Sequence, residues 1–321
     1  MTPRHRLVVL IAAASALGLG AGVLTASFTP PLLAGFGALG VVVGFRSART
    51  REGRADFAAA EIDAALEAKQ FIPYFQPQFD LKTGLITGCE ALVRWVRTDG
   101  TVVPPCRFIP LAESSGRLAP ITWTVVEEAL ARLRPLLDRD RRFKVSFNVG
   151  GAHLLSPDFV EMLETRVAAA EARAGQIIIE LTERERLGDL TQAADVVAAL
   201  RARGFRVALD DVGIGHSGLS YIQALGADIL KVDKFFVDGV CREPAAAAII
   251  AMLVRLAREL KLKVVAEGIE DRSQLAALTA CGVDEGQGFL LSPPVPIDAF
   301  LAMVEARRRV RPATEAVALV A

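Results

Sequence analysis

The stretch "RVALDDVGIGHSGLSYI", residues 206–222, decides how the rest of the chain is read. A short apolar run of strand length ends in two adjacent carboxylates, Asp210 and Asp211, with no basic residue beside them, and then breaks at glycines. Working outward, the same form recurs in "KVSFNVG" (144–150), "QIIIELTE" (176–183), "ILKVDKFFV" (229–237), "KVVAEGIE" (263–270) and "DEGQGFLLSPP" (284–294), with helix-like stretches between. This is β/α alternation. Upstream, "FDLKTGLITGCEALVRW" (79–95) sets two strand-like runs around a Lys-Thr-Gly turn, too tight for a crossover helix, so that pair is predicted antiparallel. Adding "FIPYF" (71–75) and "GCEALVRW" (88–95) makes eight strands over about 240 residues, near the roughly 250 of a (β/α)8 barrel. The predicted fold is therefore an α/β, TIM-like (β/α)8 barrel with an antiparallel first strand. An open doubly wound sheet is the competing arrangement. "AAAEIDAALEAKQF" (58–71) has helical spacing at Ile62 and Leu66 and leads into the first strand.

Composition narrows the classes. With 321 residues, 52% hydrophobic content and zero formal charge, the chain can bury a large core, and it shows no general basic surplus for a nucleic acid polymer. Its four cysteines (Cys89, Cys106, Cys241, Cys281) lack metal-type pairing and read as buried thiols of a reducing compartment. Leu7 to Phe45 carries no charged side chain, longer than the roughly 20 apolar residues of one spanning helix. A hairpin turning at "FTPP", a single tilted span and a signal peptide all fit that run. Arg4 and Arg6 before it, and Arg46, Arg49, Arg51 and Arg54 after it, put both ends of a hairpin in the cytoplasm. The expected layout is a membrane anchor at 1–45, a basic linker at 46–60, the barrel domain at 61–306 and a tail at 307–321. "ARRRVRP" (306–312) is either a solvated helix end or a contact with anionic lipid.

The strands end in polar residues, and period-two reading puts them on one face. In a β/α barrel the strands' carboxyl ends form the active-site face, so Glu90, Asn148, Glu180, Asp210, Asp211, Lys231 and Glu267 would ring one mouth. Any one such acid is ordinarily a cap or an ion-pair partner. Five together are different: two like charges about 4 Å apart repel by roughly 4 kcal/mol at an effective dielectric near 20, and Lys231 and Arg94 cannot neutralise all of them. Oxygen ligands plus one amide, without Cys or His, suit a hard divalent ion, magnesium or manganese first and calcium next, and the number of donors admits two ions. Such a pair suits in-line phosphodiester hydrolysis. Lys231 is then a candidate to orient or deprotonate the attacking water, against a simple pairing with Asp233. Arg94 is a candidate to fork onto a phosphate, against a salt bridge to one of the acids. Gln76 and Gln287 read as substrate hydrogen-bonders or as loop caps.

From about Glu61 to Ala306 the chain resembles the EAL domain family of cyclic di-GMP phosphodiesterases. "CEALVRW" carries the signature, and "FNVG", "IELTE", "ALDDVGIGHSGL", "LKVDKFFV", "VVAEGIE" and "DEGQGFLLSPP" follow in order. The resemblance implies a barrel with an antiparallel first strand, and hydrolysis of cyclic di-GMP to linear pGpG with two magnesium or manganese ions, inhibited by calcium. It implies metal ligation by Glu90, Asn148, Glu180, Asp210, Asp211 and Glu267, with Lys231 on the water and Glu90 and Glu267 at the reacting centre. It further implies dinucleotide contacts from Gln76, Arg94 and Gln287, a loop-steadying role for Glu183, and a homodimer through the barrel. The departure lies in Val212–Gly218: the family usually reads close to DDFGTGYSSL, and this chain has "DDVGIGHSGL", altering a loop that links dimer contacts to the metal site. The resulting expectation is an inner-membrane phosphodiesterase with its barrel on the cytoplasmic side, receiving input through the hairpin itself, a membrane protein partner or dimerisation. The alternatives are a cyclic di-GMP receptor without turnover and a scaffold that neither binds nor cleaves.

Overall fold

The computed structural model describes residues 59–182, 190–212 and 219–318. The predicted anchor at 1–45, nearly all of the linker, Glu183 and the altered loop from Gly213 to Gly218 lie outside the described residues. Among the described residues no helix is long and apolar enough to cross a membrane.

Among the described residues nine strands form one sheet: β1 (Phe71–Asp80), β2 (Ile86–Val96), β3 (Val102–Val103), β4 (Lys144–Val149), β5 (Ile177–Thr182), β6 (Arg206–Val212), β7 (Ile229–Val232), β8 (Lys263–Ala266) and β9 (Glu285–Gly286). Their order is β1-β9-β8-β7-β6-β5-β4-β2-β3, and β1 also pairs with β2, which closes eight strands into a barrel and excludes the open sheet. β1 runs antiparallel to both neighbours, as the short Lys-Thr-Gly turn requires. The other barrel pairings are parallel. The two-residue β3 pairs only with the end of β2, outside the barrel, and is too short to show as a sequence pattern.

Period-two alternation explains the layering. Ile178, Ala208, Ile229 and Val265 meet inside the barrel as their own apolar cluster. Their strand neighbours Ile177, Ile179, Val207, Leu209, Leu230 and Val264 belong to the larger cluster shared with the helices. The helix Leu118–Arg139 buries Ile121, Val125, Ala129, Leu133 and Leu136 against the wall at the spacing of one helical face. The predicted leading helix is present over residues 59–67. Its Ile62 packs with Phe71, Trp95, Phe108 and Ile121.

One expectation is revised. Cys89 is buried, but Cys106 and Cys241 are exposed, so the reading of all four cysteines as core thiols does not hold. The last helix spans Ile297–Ala318.

Candidate functional site

Two residues above the inner apolar layer, the same strands present Glu180, Asp210, Lys231 and Glu267 at the carboxyl end of the barrel. Lys231 is the centre. It is 1% exposed, and its Nζ lies 2.5 Å from Glu180 Oε2, 2.5 Å from Glu267 Oε1, 3.4 Å from Asp210 Oδ1 and 3.6 Å from Glu90 Oε2. Glu90 arrives from β2, where it is in register with Gln76 of β1 and Ser146 of β4. Asn148 Nδ2 donates to Glu90 Oε1 at 2.6 Å. Gln287 Nε2 donates to Glu90 Oε2 at 2.7 Å and to Glu267 Oε1 at 3.1 Å, tying the loop after β9 to two of the acids.

That loop approaches too closely for any side chain at position 288. A Cβ on Gly288 would lie 2.1 Å from the Ile269 nitrogen and 2.2 Å from its oxygen. The Gln287 carbonyl accepts from Ile269 N–H, and Leu290 N–H donates to the Ile269 carbonyl. The Gln-Gly pair thereby locks the β9 loop onto the segment that follows Glu267.

Four carboxylates around one ammonium leave excess negative charge, and the proton affinities follow. Burial and the charge of Glu90 push Glu180 up to about 8. Burial raises Glu267 well above the usual carboxylate range, with Lys231 opposing and the neighbouring acids adding to it. For Glu90, burial is outweighed by the Lys231 charge and by donors from Gln287 and Asn148, which hold it low. Burial works against the Lys231 ammonium, but the charges of Asp210, Glu180, Glu267 and Glu90 win and raise it. As arranged, Lys231 is a protonated hydrogen-bond donor. Acting as a base would require a further cation to offset the carboxylates.

The donor set is chemically that of a hard cation site: carboxylate and amide oxygens, with no sulfur or imidazole. The buried Gln287 Oε1 has no hydrogen-bond partner, so it can still accept from a ligand. As the carboxylates stand, drawn in on the Lys231 ammonium, no group of three His, Cys, Asp or Glu among the described residues is arranged to hold a metal. The residues therefore fit a divalent ion in kind and in charge, with Lys231 at the centre of their negative charge.

Glu90, Asn148, Glu180, Asp210, Lys231, Glu267 and Gln287 are thus brought together. Lys231 turns to the acids and not to Asp233, which caps the helix Lys234–Gly239 by accepting from Phe235 N–H at 2.6 Å. Arg94 forms no ion pair with the acids among the described residues. Its Nη1 donates to the Val93 carbonyl at 2.8 Å, and its guanidinium lies 5.6 Å from the Tyr74 ring centroid. Gln76 donates to the Ser292 carbonyl at 3.2 Å and lines a cavity of about 280 Å³ with Glu267 and Gln287. Lys234, Glu270 and Phe289, which sequence reasoning passed over, line the same cavity. Their only signal was their place just beyond the strand ends. Asp211 follows Asp210 within β6, one residue before its end at Val212.

The family model described as "EAL domain" matches residues 59–294. The chain is 37% identical over 241 residues to the probable cyclic di-GMP phosphodiesterase PdeB of Escherichia coli (strain K12), covering 75% of this chain and 46% of that protein. It is 35% identical over 242 residues to the cyclic di-GMP phosphodiesterase PdeL of the same organism, covering 75% and 67%. The structure is similar to that of the EAL enzyme Bd1971 in its cAMP- and cyclic-di-GMP-bound form, with TM-score 0.75 and 31% identity over 83% of this chain and 75% of that one. It is also similar to the PaMucR phosphodiesterase in complex with c-di-GMP, with TM-score 0.71 and 31% identity over 76% and 99%. The chain spans less than half of PdeB, so much of that relative has no counterpart in the match.

Proposed function

The chain belongs to the EAL domain family, and from that premise we propose that it hydrolyses cyclic di-GMP to linear pGpG at the carboxyl end of its barrel. The observation that carries the reading is the convergence of Glu90, Glu180, Asp210 and Glu267 on one buried lysine, with Asn148 and Gln287 donating to the carboxylates. A structural ion pair needs one acid per base; four buried acids around Lys231 are a charge arrangement that folding alone disfavours.

In this proposal Glu90, Asn148, Glu180, Asp210, Asp211 and Glu267 hold two magnesium or manganese ions, and calcium is inhibitory. Bound there, the ions supply Lewis-acid charge at the phosphate and lower the pKa of the attacking water. Lys231 donates to that water and orients it for in-line attack. Gln76, Gln287 and Arg94 hold the dinucleotide, Gln287 through its unpartnered Oε1, and Glu183 steadies the loop after Asp211. We further propose that the apolar run Leu7–Phe45 anchors the chain in the inner membrane with the barrel on the cytoplasmic side, and that it works as a homodimer, with a membrane protein partner as a source of input.

The test is hydrolysis of cyclic di-GMP by the full-length chain with magnesium, manganese and calcium in turn, following pGpG by chromatography. Product with magnesium or manganese that disappears in Glu90→Gln and in Lys231→Met is expected. Tight nucleotide binding without product under every metal would overturn hydrolysis in favour of a receptor, the reading supported by the altered residues of Val212–Gly218.

A further inference from the structure

Three of the strands that carry oxygen donors at the mouth also carry a cation at the opposite end. Lys144-Ser146-Asn148 on β4, Arg206-Ala208-Asp210 on β6, and Lys263-Val265-Glu267 through β8 each place a cation, a small or apolar residue and an oxygen donor at successive positions of one strand face. The middle and upper members face the barrel interior: Ser146, Ala208 and Val265 are at most 2% exposed. Period two therefore brings Lys144, Arg206 and Lys263, the first residues of alternate strands, around the barrel axis at its base.

The acids of that base are already committed. Glu285 pairs with Lys263 at 2.7 Å. Asp228 holds Arg201 and accepts from Val207 N–H, Asp284 accepts from Val264 N–H, Asp140 pairs with Arg308, and Asp80 accepts the N–H groups of its own turn. Among the described residues Lys144 donates its hydrogen bond to a carbonyl, Gly175 O at 2.6 Å, and burial with the charges of Arg206 and Lys263 lowers its proton affinity against the opposing charges of Glu285 and Asp140. Among the described residues Arg206 is thus left without an ion pair, beside two cations that share the charge of Glu285. Holding like charges together at a strand end is unfavourable unless an anion joins them.

We propose that the base of the barrel is an anion site, in which Lys144 and Arg206, with Lys263 beside them, bind a phosphate group. Arg206 is exposed and supplies the fork that suits phosphate oxygens, while half-buried Lys144 supplies a point charge. The site lies at the far end of the barrel from the carboxylates and shares no residue with them. The bound group is either a free phosphate or the headgroup of an anionic lipid, and the two sources are separable by experiment.

The experiment uses the full-length chain in uncharged detergent. Inorganic phosphate is titrated while the unfolding midpoint and the phosphorus NMR linewidth are followed, and the midpoint is then measured in the same micelles with and without phosphatidylglycerol. Phosphate is expected to raise the midpoint and broaden the signal, with affinity falling about tenfold in Arg206→Ala and again in Lys144→Gln. A midpoint raised by phosphatidylglycerol and not by free phosphate, with the rise lost in the same variants, would assign the site to a headgroup. Cyclic di-GMP hydrolysis is expected to be unchanged in both variants, which separates this proposal from the catalytic one. A wild-type chain that responds to neither probe, or variants that respond as the wild type does, would overturn it.

Discussion

Replacing Lys231 by methionine removes the charge from the centre of the site while keeping most of the volume. At an effective dielectric of about 20, a fully ionised carboxylate at 2.5 Å, the distance of both Glu180 and Glu267, attracts the ammonium by roughly 6 to 7 kcal/mol, an upper limit because the proton affinity of both acids is raised. Desolvation of the ammonium and repulsion among the acids consume much of that, and breaking a buried pair typically costs about 3 to 5 kcal/mol. The acids recover part of the loss by protonation, since Glu180 and Glu267 already hold protons tightly. In chelator at neutral pH, Lys231→Met should therefore lose about 3 kcal/mol, which for a domain of this size lowers the unfolding midpoint by roughly 6 to 12 °C. Magnesium should then raise the midpoint more in the variant than in the wild type, because the freed carboxylates gain a counter-charge. Scanning calorimetry in chelator and in magnesium measures both effects. A variant as stable as the wild type in chelator, or one indifferent to magnesium, would refute the view that Lys231 is the counter-charge of this site.

Three other outcomes are expected. Gly288→Ala should raise KM and destabilise the domain by at least about 2 kcal/mol, because its Cβ collides with the Ile269 backbone and displaces Gln287; denaturant melts and steady-state kinetics check both effects. His153, buried against Trp123 and Phe159 and held down to about 4 by burial and the Arg166 charge, is neutral in the fold and takes up a proton on unfolding below its ordinary 6.5. The unfolded state binds more protons in that window, so this contribution is complete above about 6.5 and is lost as pH falls through about 4. At about 1.4 kcal/mol per unit, discounted for solvent screening, it amounts to about 2 kcal/mol, read as the pH-dependent difference between the wild type and His153→Phe in denaturant melts. Asp271→Ala removes the capping box of the helix Arg272–Cys281, in which Asp271 and Gln274 satisfy each other's backbone N–H, and should cost about 1 kcal/mol without changing turnover.

Much of the site was legible because a strand alternates with period two. Once "KVSFNVG", "QIIIELTE", "RVALDDVG", "ILKVDKFFV" and "KVVAEGIE" are strands, Asn148, Glu180, Asp210, Lys231 and Glu267 must share a face, and a parallel barrel gathers their carboxyl ends. The antiparallel first strand was legible for an equally local reason, since a three-residue turn cannot support a crossover. Phe289, Lys234 and Glu270 escaped because they sit beyond the strand ends, where no period constrains direction. The exposure of Cys106 and Cys241 escaped as well, because composition says nothing about which side of a loop or helix meets water.

By itself, then, the sequence determined the order of the strands, the direction of the first one and which residues share a face, all consequences of spacing along one chain. The tertiary structure decided the pairings across it. Closure through β1 and β9 sets which acids meet Lys231, brings Gln287 across 197 positions to Glu90, and turns Arg94 toward Tyr74 and not toward the carboxylates. These depend on distances between segments remote in the chain, which only packing and closure of the barrel establish.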